Sequence, residues 1–294
     1  MNSRALWLVL MTLYLLQPLT AHSQQISPPT QTYPKVQLND TEVREIKSKL
    51  NGESYRIYTK FPRGYSVSKK SYPVLYVLDA ETNFGGVSYI VQRLIKDRII
   101  PEILVVGVAY EVDYKTFYAL RSRDLAPTSD PSCAKRKYCG GGAEAFRNFL
   151  EQELFPFVDS NYRAEDDSRA LYGHSLGGLF GFFTLLNAPQ MFDRYLLLSP
   201  SLWWNDKVLI RQAKGAAPTS RPAKLYVGIG EHESSRHHTG QSMIDHQLEM
   251  VRILEGKDPN HFEIRSEVLD DETHRTIFGH AFTKGLRFIY GEAE

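Results

Sequence analysis

Net charge is almost absent from this sequence, because 35 Lys and Arg residues are balanced by 34 Asp and Glu residues, which leaves +1 at pH 7. A chain without an excess of basic residues lacks the electrostatic surface by which proteins bind nucleic acid or anionic membranes. The sequence also has no internal repeat and no low-complexity tract. The composition is therefore that of an ordinary globular protein. It specifies no oligomeric state.

Long hydrophobic runs are missing as well. The uncharged, mostly apolar run near the N-terminus, Ala5–Leu16, has twelve residues, which is too short to cross a bilayer comfortably. Arg4 precedes this run, and Ala21 and Ser23 place small residues at the two positions that a signal peptidase recognises. We therefore predict a signal peptide over residues 1–23, with cleavage after Ser23. An uncleaved anchor is the alternative.

The predicted signal sets the compartment and the domain organisation. Export places the mature protein in the periplasm or outside the cell, without stable membrane insertion after cleavage. No cysteine lies near the cleavage point, so no lipoprotein anchor is indicated. Residues 24–39 are rich in Pro, Gln, Ser and Thr and predict a flexible lead-in. Residues 40–294 are predicted to form one folded domain.

Cysteine is scarce, since the sequence has only Cys133 and Cys139. Neither lies at a predicted strand end beside a histidine, which argues against a thiol nucleophile. Together with the export signal, the two residues predict one disulfide that closes a small loop. A pair of free thiols is the alternative. Both lie in residues 110–142, which we predict to be a long irregular insertion, and loops of such length are usually functional or mobile.

Metal-ligand spacings are absent too. His237 and His238 are adjacent and therefore point in different directions, and no H-x-x-x-H or H-E-x-x-H pattern accompanies them. We interpret both as surface residues. The sequence predicts no metal ion and no other cofactor.

What the sequence does contain is a nucleophile elbow. Arg169–Leu186 has the pattern of a short apolar strand, a tight turn and an apolar helix, and its turn is Gly173-His174-Ser175-Leu176-Gly177. This matches G-x-S-x-G, in which a sharp turn holds the serine hydroxyl exposed. Glycines on both sides of Ser175 let strand and helix approach, and the helix N-terminus offers free amides to an oxyanion.

The rest of the chain alternates apolar strands with helices. Such alternation predicts an α/β fold with a mostly parallel sheet covered by helices on both faces. A leading hairpin around Asn51-Gly52, joined to that sheet, fits the α/β-hydrolase fold. The predicted strands are Val43–Leu50, Ser54–Phe61, Pro73–Asp79, Ile103–Ala109, the elbow strand, Tyr195–Leu198, Lys224–Gly230 and His261–Leu269. Predicted helices include Gly86–Lys96 and Thr276–Tyr290.

In this fold the serine is followed along the chain by an acid and then a histidine. The strand that ends at Gly230 is followed by two candidate acids, Glu233 and Glu231, and we favour Glu233. His274 follows the last predicted strand and is the candidate base. His280 falls inside the last predicted helix and is interpreted as structural.

The chain resembles the putative-esterase family that contains esterase D, the mycolyltransferases and the enterobactin-type siderophore esterases, and it is most similar to the siderophore hydrolase branch. The resemblance covers about residues 40–291. Its marks are Val77–Asp79, Arg123–Thr128, Gly173–Gly178, Ser199–Trp204, Gly230–Glu233 and Glu272–His274. The resemblance implies an α/β-hydrolase fold, no metal, a small-molecule ester as substrate, and ester cleavage through an acyl-enzyme.

Carried over to this chain, the resemblance implies Ser175 as nucleophile, His274 as base and Glu233 as acid, although a serine–histidine pair without an acid occurs among siderophore esterases. The implied oxyanion donors are the backbone amides of Leu176 and Glu81. Many relatives have glycine where this chain has Ala80, which leaves the Ala80 amide as an alternative to that of Glu81.

Three residues are candidates for substrate binding. Trp203 and Trp204 follow the strand beside the elbow and offer flat apolar area, although both also suit a core. The guanidinium of Arg121 can hold an anionic substrate such as a catecholate or pair with a nearby acid, and a structural clamp is favoured for Arg123, beside Asp124. These features favour aromatic, anionic esters, with siderophore trilactones as leading candidates. A serine peptidase or acyltransferase and a non-catalytic binding protein remain as alternatives.

Overall fold

The protein is built around one eight-stranded sheet with the order β1-β2-β4-β3-β5-β6-β7-β8. The computed structural model describes residues 36–131, 139–216, 221–234, 242–257 and 261–291. The strands are β1 (Thr41–Lys47), β2 (Ser54–Lys60), β3 (Tyr72–Val77), β4 (Leu104–Ala109), β5 (Ala164–His174), β6 (Arg194–Leu198), β7 (Ala223–Gly230) and β8 (Phe262–Leu269).

The sheet is mostly parallel. β1 pairs antiparallel with β2, and β2 pairs antiparallel with β4, whereas every pairing from β4 through β3, β5, β6 and β7 to β8 is parallel. A leading hairpin joined to a parallel sheet is the predicted arrangement. The predicted α/β-hydrolase fold is confirmed.

Helices cover both faces of the sheet. They are α1 (Ala80–Lys96), α2 (Tyr114–Leu125), α3 (Ala143–Phe149), α4 (Phe155–Asn161), α5 (Leu176–Asn187), α6 (Trp204–Gly215), α7 (Met243–Lys257) and α8 (Phe278–Tyr290). A π-helical turn, Leu150–Leu154, joins α3 to α4.

Strand residues alternate between two apolar cores, one on each side of the sheet. Leu171 and Leu197 are buried in the core that α5 shares, and Tyr172 and Leu196 are buried in the core that α1 and α8 share. Because side chains alternate along a strand, a strand that is covered on both faces needs apolar residues at consecutive positions. This requirement explains the continuous apolar runs in the sequence.

The segment 110–142 differs from its prediction as an irregular loop, because α2 lies within it. The side chain of Asp113 caps the first turn of α2, accepting hydrogen bonds from the amides of Lys115 and Thr116 at 3.1 Å each. An N-capping aspartate is a local helix signal. Arg121 lies on this helix, and its position there fixes the direction of the Arg121 side chain.

Several predicted boundaries also move. β1 ends at Lys47 rather than at Leu50, so residues 48–53 connect the hairpin in place of a two-residue turn. α1 begins at Ala80 rather than at Gly86, directly after β3 and Asp79. This earlier start brings the first turn of α1 to the carboxyl edge of the sheet.

Some predictions concern residues outside the described part of the chain. The predicted signal peptide (1–23) and most of the predicted lead-in (24–39) lie there, as do Cys133, His237 and His238. Cys139 is disulfide-bonded, and the Cys133–Cys139 pairing stays a prediction. None of the helices within the described ranges is both long and apolar enough to cross a membrane.

Candidate active site

Five connections meet at the carboxyl edge of the parallel strands, and they carry the predicted site residues. The elbow follows β5, and the first turn of α1 follows β3. The segments after β6, β7 and β8 contain Ser201, Glu233 and His274 respectively. Because parallel strands end at the same edge of a sheet, residues distant in sequence become neighbours there.

Ser175 occupies the turn between β5 and α5 with φ 60° and ψ −115°. A positive φ is unfavourable for a residue other than glycine and costs about 1–3 kcal/mol. Two backbone hydrogen bonds hold this conformation: the Ser175 amide donates to Leu198 at 2.9 Å, and the Ser201 amide donates to the Ser175 carbonyl at 3.1 Å. The Ser175 hydroxyl lies 3.3 Å from Oγ of Ser201.

The elbow needs glycine at two positions. A Cβ on Gly173 would lie 2.2 Å from the carbonyl oxygen of Gly177, and a Cβ on Gly178 would lie 2.9 Å from Cα of Pro200. A Cβ on Gly177 would meet Leu78 at an ordinary 3.6 Å. The predicted close approach therefore holds before the serine, while after the serine it occurs at Gly178 rather than at Gly177.

Glu233 and His274 form a short contact beside the elbow. Glu233 ends a 3₁₀ turn after β7, and its side chain is 0% exposed. Its Oε2 lies 2.6 Å from Nδ1 of His274. Since a carboxylate accepts hydrogen bonds only, Nδ1 carries the proton and Nε2 of the neutral ring is left to accept one.

The carboxyl group of Glu233 is stabilised in its ionised form. Burial by itself would raise the pKa of Glu233, but hydrogen bonds from His274, Ser199 and the Gly230 amide lower it below its usual value. The Ser199 hydroxyl donates to Oε1 at 2.6 Å and the Gly230 amide at 3.0 Å. A lowered folded pKa stabilises the fold above the unfolded pKa, and that contribution is lost as the pH falls through the folded pKa.

The competing acid, Glu231, points elsewhere. It is exposed, and its Oε2 accepts a hydrogen bond from the Asp271 amide at 3.0 Å. That bond ties the turn after β7 to the loop that carries His274. The structure thus brings Glu233 to the His274 ring and uses Glu231 as a loop contact.

His174 holds the loop that carries His274 in place. Its Nε2 donates to the His274 carbonyl at 2.7 Å, and the two ring centroids lie 4.7 Å apart. Burial is the largest cause that lowers the pKa of His174, and together with the neighbouring His274 and Arg121 it brings that pKa to about 4. His174 is therefore neutral at physiological pH and positions the loop rather than acting as a base.

The predicted oxyanion donors lie in the first turns of two helices. Leu176 begins α5, and Ala80 and Glu81 begin α1. Amides in a first helical turn have no intrahelical acceptor, so they are available to a negatively charged oxygen. A Cβ on Gly177 would lie 3.8 Å from Oδ2 of Asp79, which places the two helix starts side by side.

Arg121 is committed to a different partner from the one predicted. Its guanidinium makes a bidentate ion pair with Asp79, with distances of 2.8 Å and 2.7 Å, and Arg121 is 8% exposed. Asp79 itself has φ 52°, in the left-handed region just before α1. The predicted grip of Arg121 on an anionic substrate is replaced by a buried clamp on the turn that starts α1.

The other predicted side chains divide between core and surface. Trp204 is 5% exposed and donates through Nε1 to the Thr128 carbonyl at 2.9 Å, so it is a core aromatic. Trp203 is only partly buried. Arg123 pairs with Asp124 at 2.6 Å, as the clamp interpretation predicts. His280 is an exposed residue of α8.

Sequence reasoning missed three positioning groups. Ser199 and Ser201 lie inside the Ser199–Trp204 motif, which was noted without a role for its hydroxyl groups. The Asp79–Arg121 pair joins residues separated by 42 positions, and nothing local signals it. Among the described residues, no cluster of three His, Cys, Asp or Glu side chains has an arrangement that would hold a metal ion.

Comparison with known proteins identifies the family. A family model described as putative esterase matches residues 48–289. The ferri-bacillibactin esterase BesA of Bacillus subtilis is 29% identical over 262 residues, which cover 84% of this chain and 89% of that protein. The siderophore triacetylfusarinine C esterase of Aspergillus fumigatus is 27% identical over 266 residues, covering 81% and 89%.

Solved structures share the architecture. The BES protein from Bacillus cereus has a TM-score of 0.76 at 25% identity and covers 88% of this chain and 99% of its own. The siderophore hydrolase EstB from Aspergillus nidulans has a TM-score of 0.76 at 22% identity, covering 88% and 97%. At such identity the second likeness concerns the fold alone.

Proposed function

Because the chain belongs to the putative esterase family, it hydrolyses ester bonds, and we propose that it does so as a serine esterase whose substrate is a siderophore ester. The proposed nucleophile is Ser175, the proposed base is His274 and the proposed acid is Glu233. The single observation that carries these roles is the 2.6 Å contact between Glu233 and His274 beside a strained elbow serine.

In the first step, Nε2 of His274 takes the proton of the Ser175 hydroxyl as Oγ attacks the ester carbonyl carbon. The ionised Glu233 holds Nδ1 and stabilises the imidazolium that forms. The Ser175 hydroxyl, 3.3 Å from Ser201 in this conformation, turns to His274 as the ester binds, since catalytic hydrogen bonds often tighten only with substrate present.

The tetrahedral intermediate places a negative charge on the former carbonyl oxygen. The amide of Leu176 supplies one donor, and the amide of Glu81 or of Ala80 supplies the second. Each such donor contributes about 10²–10³ in rate. The Arg121–Asp79 pair keeps the second donor in place, because it clamps the turn from which α1 starts.

The intermediate then collapses. The bond between the carbonyl carbon and the alcohol oxygen breaks, and the imidazolium of His274 gives its proton to the leaving alkoxide. In the second half, water attacks the acyl carbon while His274 takes a proton from the water. The bond between the acyl carbon and Oγ of Ser175 then breaks, His274 returns the proton to Oγ, and the carboxylic acid is released. Neither half requires a metal or another cofactor.

The relatives support the choice of substrate. Their names describe esterases of siderophores, ferri-bacillibactin and triacetylfusarinine C among them. Siderophore esters vary in chemistry, and the proposal commits to a trilactone whose arms carry aromatic, oxygen-rich rings. Half-buried Trp203 beside the elbow offers an aromatic edge to such a ring.

The substrate is tested by a hydrolysis screen over catecholate trilactones, in free and iron-loaded form, and over neutral acetyl and butyryl esters. Successive ring-opened and shortened products are expected by mass spectrometry, with a higher kcat/KM for a trilactone than for the short-chain esters, because only the larger substrate uses binding energy beyond the ester. A higher kcat/KM for acetyl or butyryl esters would contradict the siderophore proposal and leave a general carboxylesterase.

Further assays on the same protein distinguish the alternative functions. A serine peptidase would also cleave peptide p-nitroanilides, and an acyltransferase would pass the acyl group to an added alcohol rather than to water. A non-catalytic binding protein would not react with a fluorophosphonate probe. Labelling of Ser175 together with hydrolysis of esters and not of anilides is the expected combination.

Export is part of the proposal, and a single measurement tests both export and the disulfide. The intact mass of protein from the producing cell is expected to begin at Gln24 and to show one Cys133–Cys139 bond, because the signal pattern directs the chain to an oxidising compartment. The bond closes a short loop and stabilises the fold by about 2 kcal/mol. Protein that retains Met1, or that has two alkylatable thiols, would contradict the proposal.

A further inference from the structure

Two tyrosines stand exposed on the outer face of α2. Tyr114 and Tyr118 are one helical turn apart, with relative exposures of 72% and 45%. Their ring centroids lie 4.6 Å apart at an angle of 65°, and the Tyr114 hydroxyl donates to that of Tyr118 at 3.1 Å. Phe117 supports Tyr118 from the core side, with a centroid distance of 5.3 Å. Such a pair is a preformed aromatic surface.

This aromatic surface lies near the elbow. Cζ of Arg121 lies 5.9 Å from the Tyr118 ring centroid, and Arg121 is bonded in turn to Asp79. Oδ2 of Asp79 approaches the Gly177 position to within 3.8 Å of a Cβ placed there. Tyr118 is therefore connected to the elbow through a single ion pair.

A free cation stands next to the proposed base. Arg275 directly follows His274 and is exposed. Within the described ranges no carboxylate lies within ion-pair distance of its guanidinium, whereas the charge of Arg121 is balanced by Asp79. An arginine with an open fork binds carboxylate or paired phenolate oxygens by two parallel hydrogen bonds.

The arginine and the tyrosines both belong to segments that reach the elbow: α2 is bonded to Asp79 through Arg121, and Arg275 follows His274, whose carbonyl accepts from His174 of the elbow. The hydrogen bond from Tyr114 and partial burial raise the pKa of Tyr118, and the positive charges of Arg121 and Arg275 act in the opposite direction. The aromatic surface of Tyr114 and Tyr118 and the cation of Arg275 therefore both lie near the elbow.

We propose that Tyr114, Tyr118 and Arg275 form a subsite for an aryl group that carries anionic oxygens, and that this subsite holds one aromatic arm of the substrate while the ester reaches Ser175. The inference rests on the proposed function, because it assigns residues to the aromatic arm of the proposed substrate. The ring stacks against the tyrosines, and its oxygens face the guanidinium.

The experiment uses competitive inhibition of p-nitrophenyl acetate hydrolysis by 2,3-dihydroxybenzoate and by catechol, which has the ring without the carboxylate. Arg275→Gln is expected to raise the inhibition constant of 2,3-dihydroxybenzoate by about tenfold or more, since a hydrogen bond to a charged group is lost. The constant for catechol is expected to rise less. Tyr118→Leu is expected to raise both constants, by about threefold or more, because both ligands stack.

The matched control is Arg287→Gln, which removes another exposed positive charge, from the far end of α8. Both inhibition constants should stay at the wild-type values in this control. An Arg275→Gln protein with wild-type inhibition constants for both ligands would overturn the subsite.

The two proposals fail in different ways. If no trilactone is hydrolysed but the inhibition constants respond as expected, the subsite stands and the siderophore substrate is wrong. If trilactones are hydrolysed but neither Arg275→Gln nor Tyr118→Leu changes the inhibition constants or the trilactone KM, the proposed function stands and the subsite is wrong.

Discussion

Ser175→Ala is expected to lower kcat by at least about 10⁴-fold, because water would then have to attack the ester without a covalent nucleophile. The fold should not change, since alanine adopts the same positive φ at a cost similar to that of serine and the Ser175 hydroxyl is half-exposed. The measurement is single-turnover hydrolysis together with thermal unfolding.

His274→Ala should cost about as much, and the double variant little more than either single variant, because the two side chains act as one unit. His280→Ala is the matched control, since His280 is an exposed histidine on α8. Its kcat should remain near the wild-type value. Turnover near the wild-type rate in the Ser175 or His274 variant would refute the proposed roles, and so would effects that add fully in the double variant.

Glu233→Gln is expected to lower kcat by about 10³–10⁴-fold. The amide has the shape of the carboxyl group but no charge, and it can donate to Nδ1, which would leave the proton on Nε2 and disable the base. The carboxylate is also 0% exposed and accepts from Ser199 and Gly230, so the variant should unfold at a lower temperature as well. Initial rates and a melting curve measure the two effects.

Glu231→Gln provides the matched control for this change. The side chain is exposed, and a glutamine oxygen can still accept from the Asp271 amide, so kcat should fall by less than about threefold. If both variants keep wild-type turnover, the enzyme works with a serine–histidine pair alone. If the Glu231 variant is the slower one, the acid has been assigned to the wrong glutamate.

The sequence alone predicted the fold class and the elbow because both depend on local patterns. A strand covered on both faces must have consecutive apolar residues. G-x-S-x-G is a short turn that needs glycine where the backbone comes very close, as Gly173 does to Gly177. The order of nucleophile, acid and base along the chain then followed from the fold. Ester hydrolysis is confirmed by the family, while the residue roles stay proposals.

Helix α2 was missed because its buried face is not apolar. Of its four buried residues, Arg121 and Asp124 are charged, while Tyr114 and Tyr118 face outward. Charged residues can be buried on this helix because they pair with other residues of the fold, and a buried charge is tolerated when it is paired. Hydrophobic periodicity, the main helix signal in a sequence, therefore fails for this segment.

Only the tertiary structure decided which contacts each of several chemically similar side chains makes. Glu233 and Glu231 are two residues apart, yet one meets His274 and the other meets Asp271. Arg121 was the plausible anion-binding residue by sequence, but the fold pairs it with Asp79, whereas among the described residues Arg275 has no carboxylate partner. These contacts join residues about 40 positions apart, and such distances are set by how parallel strands bring their ends together rather than by any local spacing.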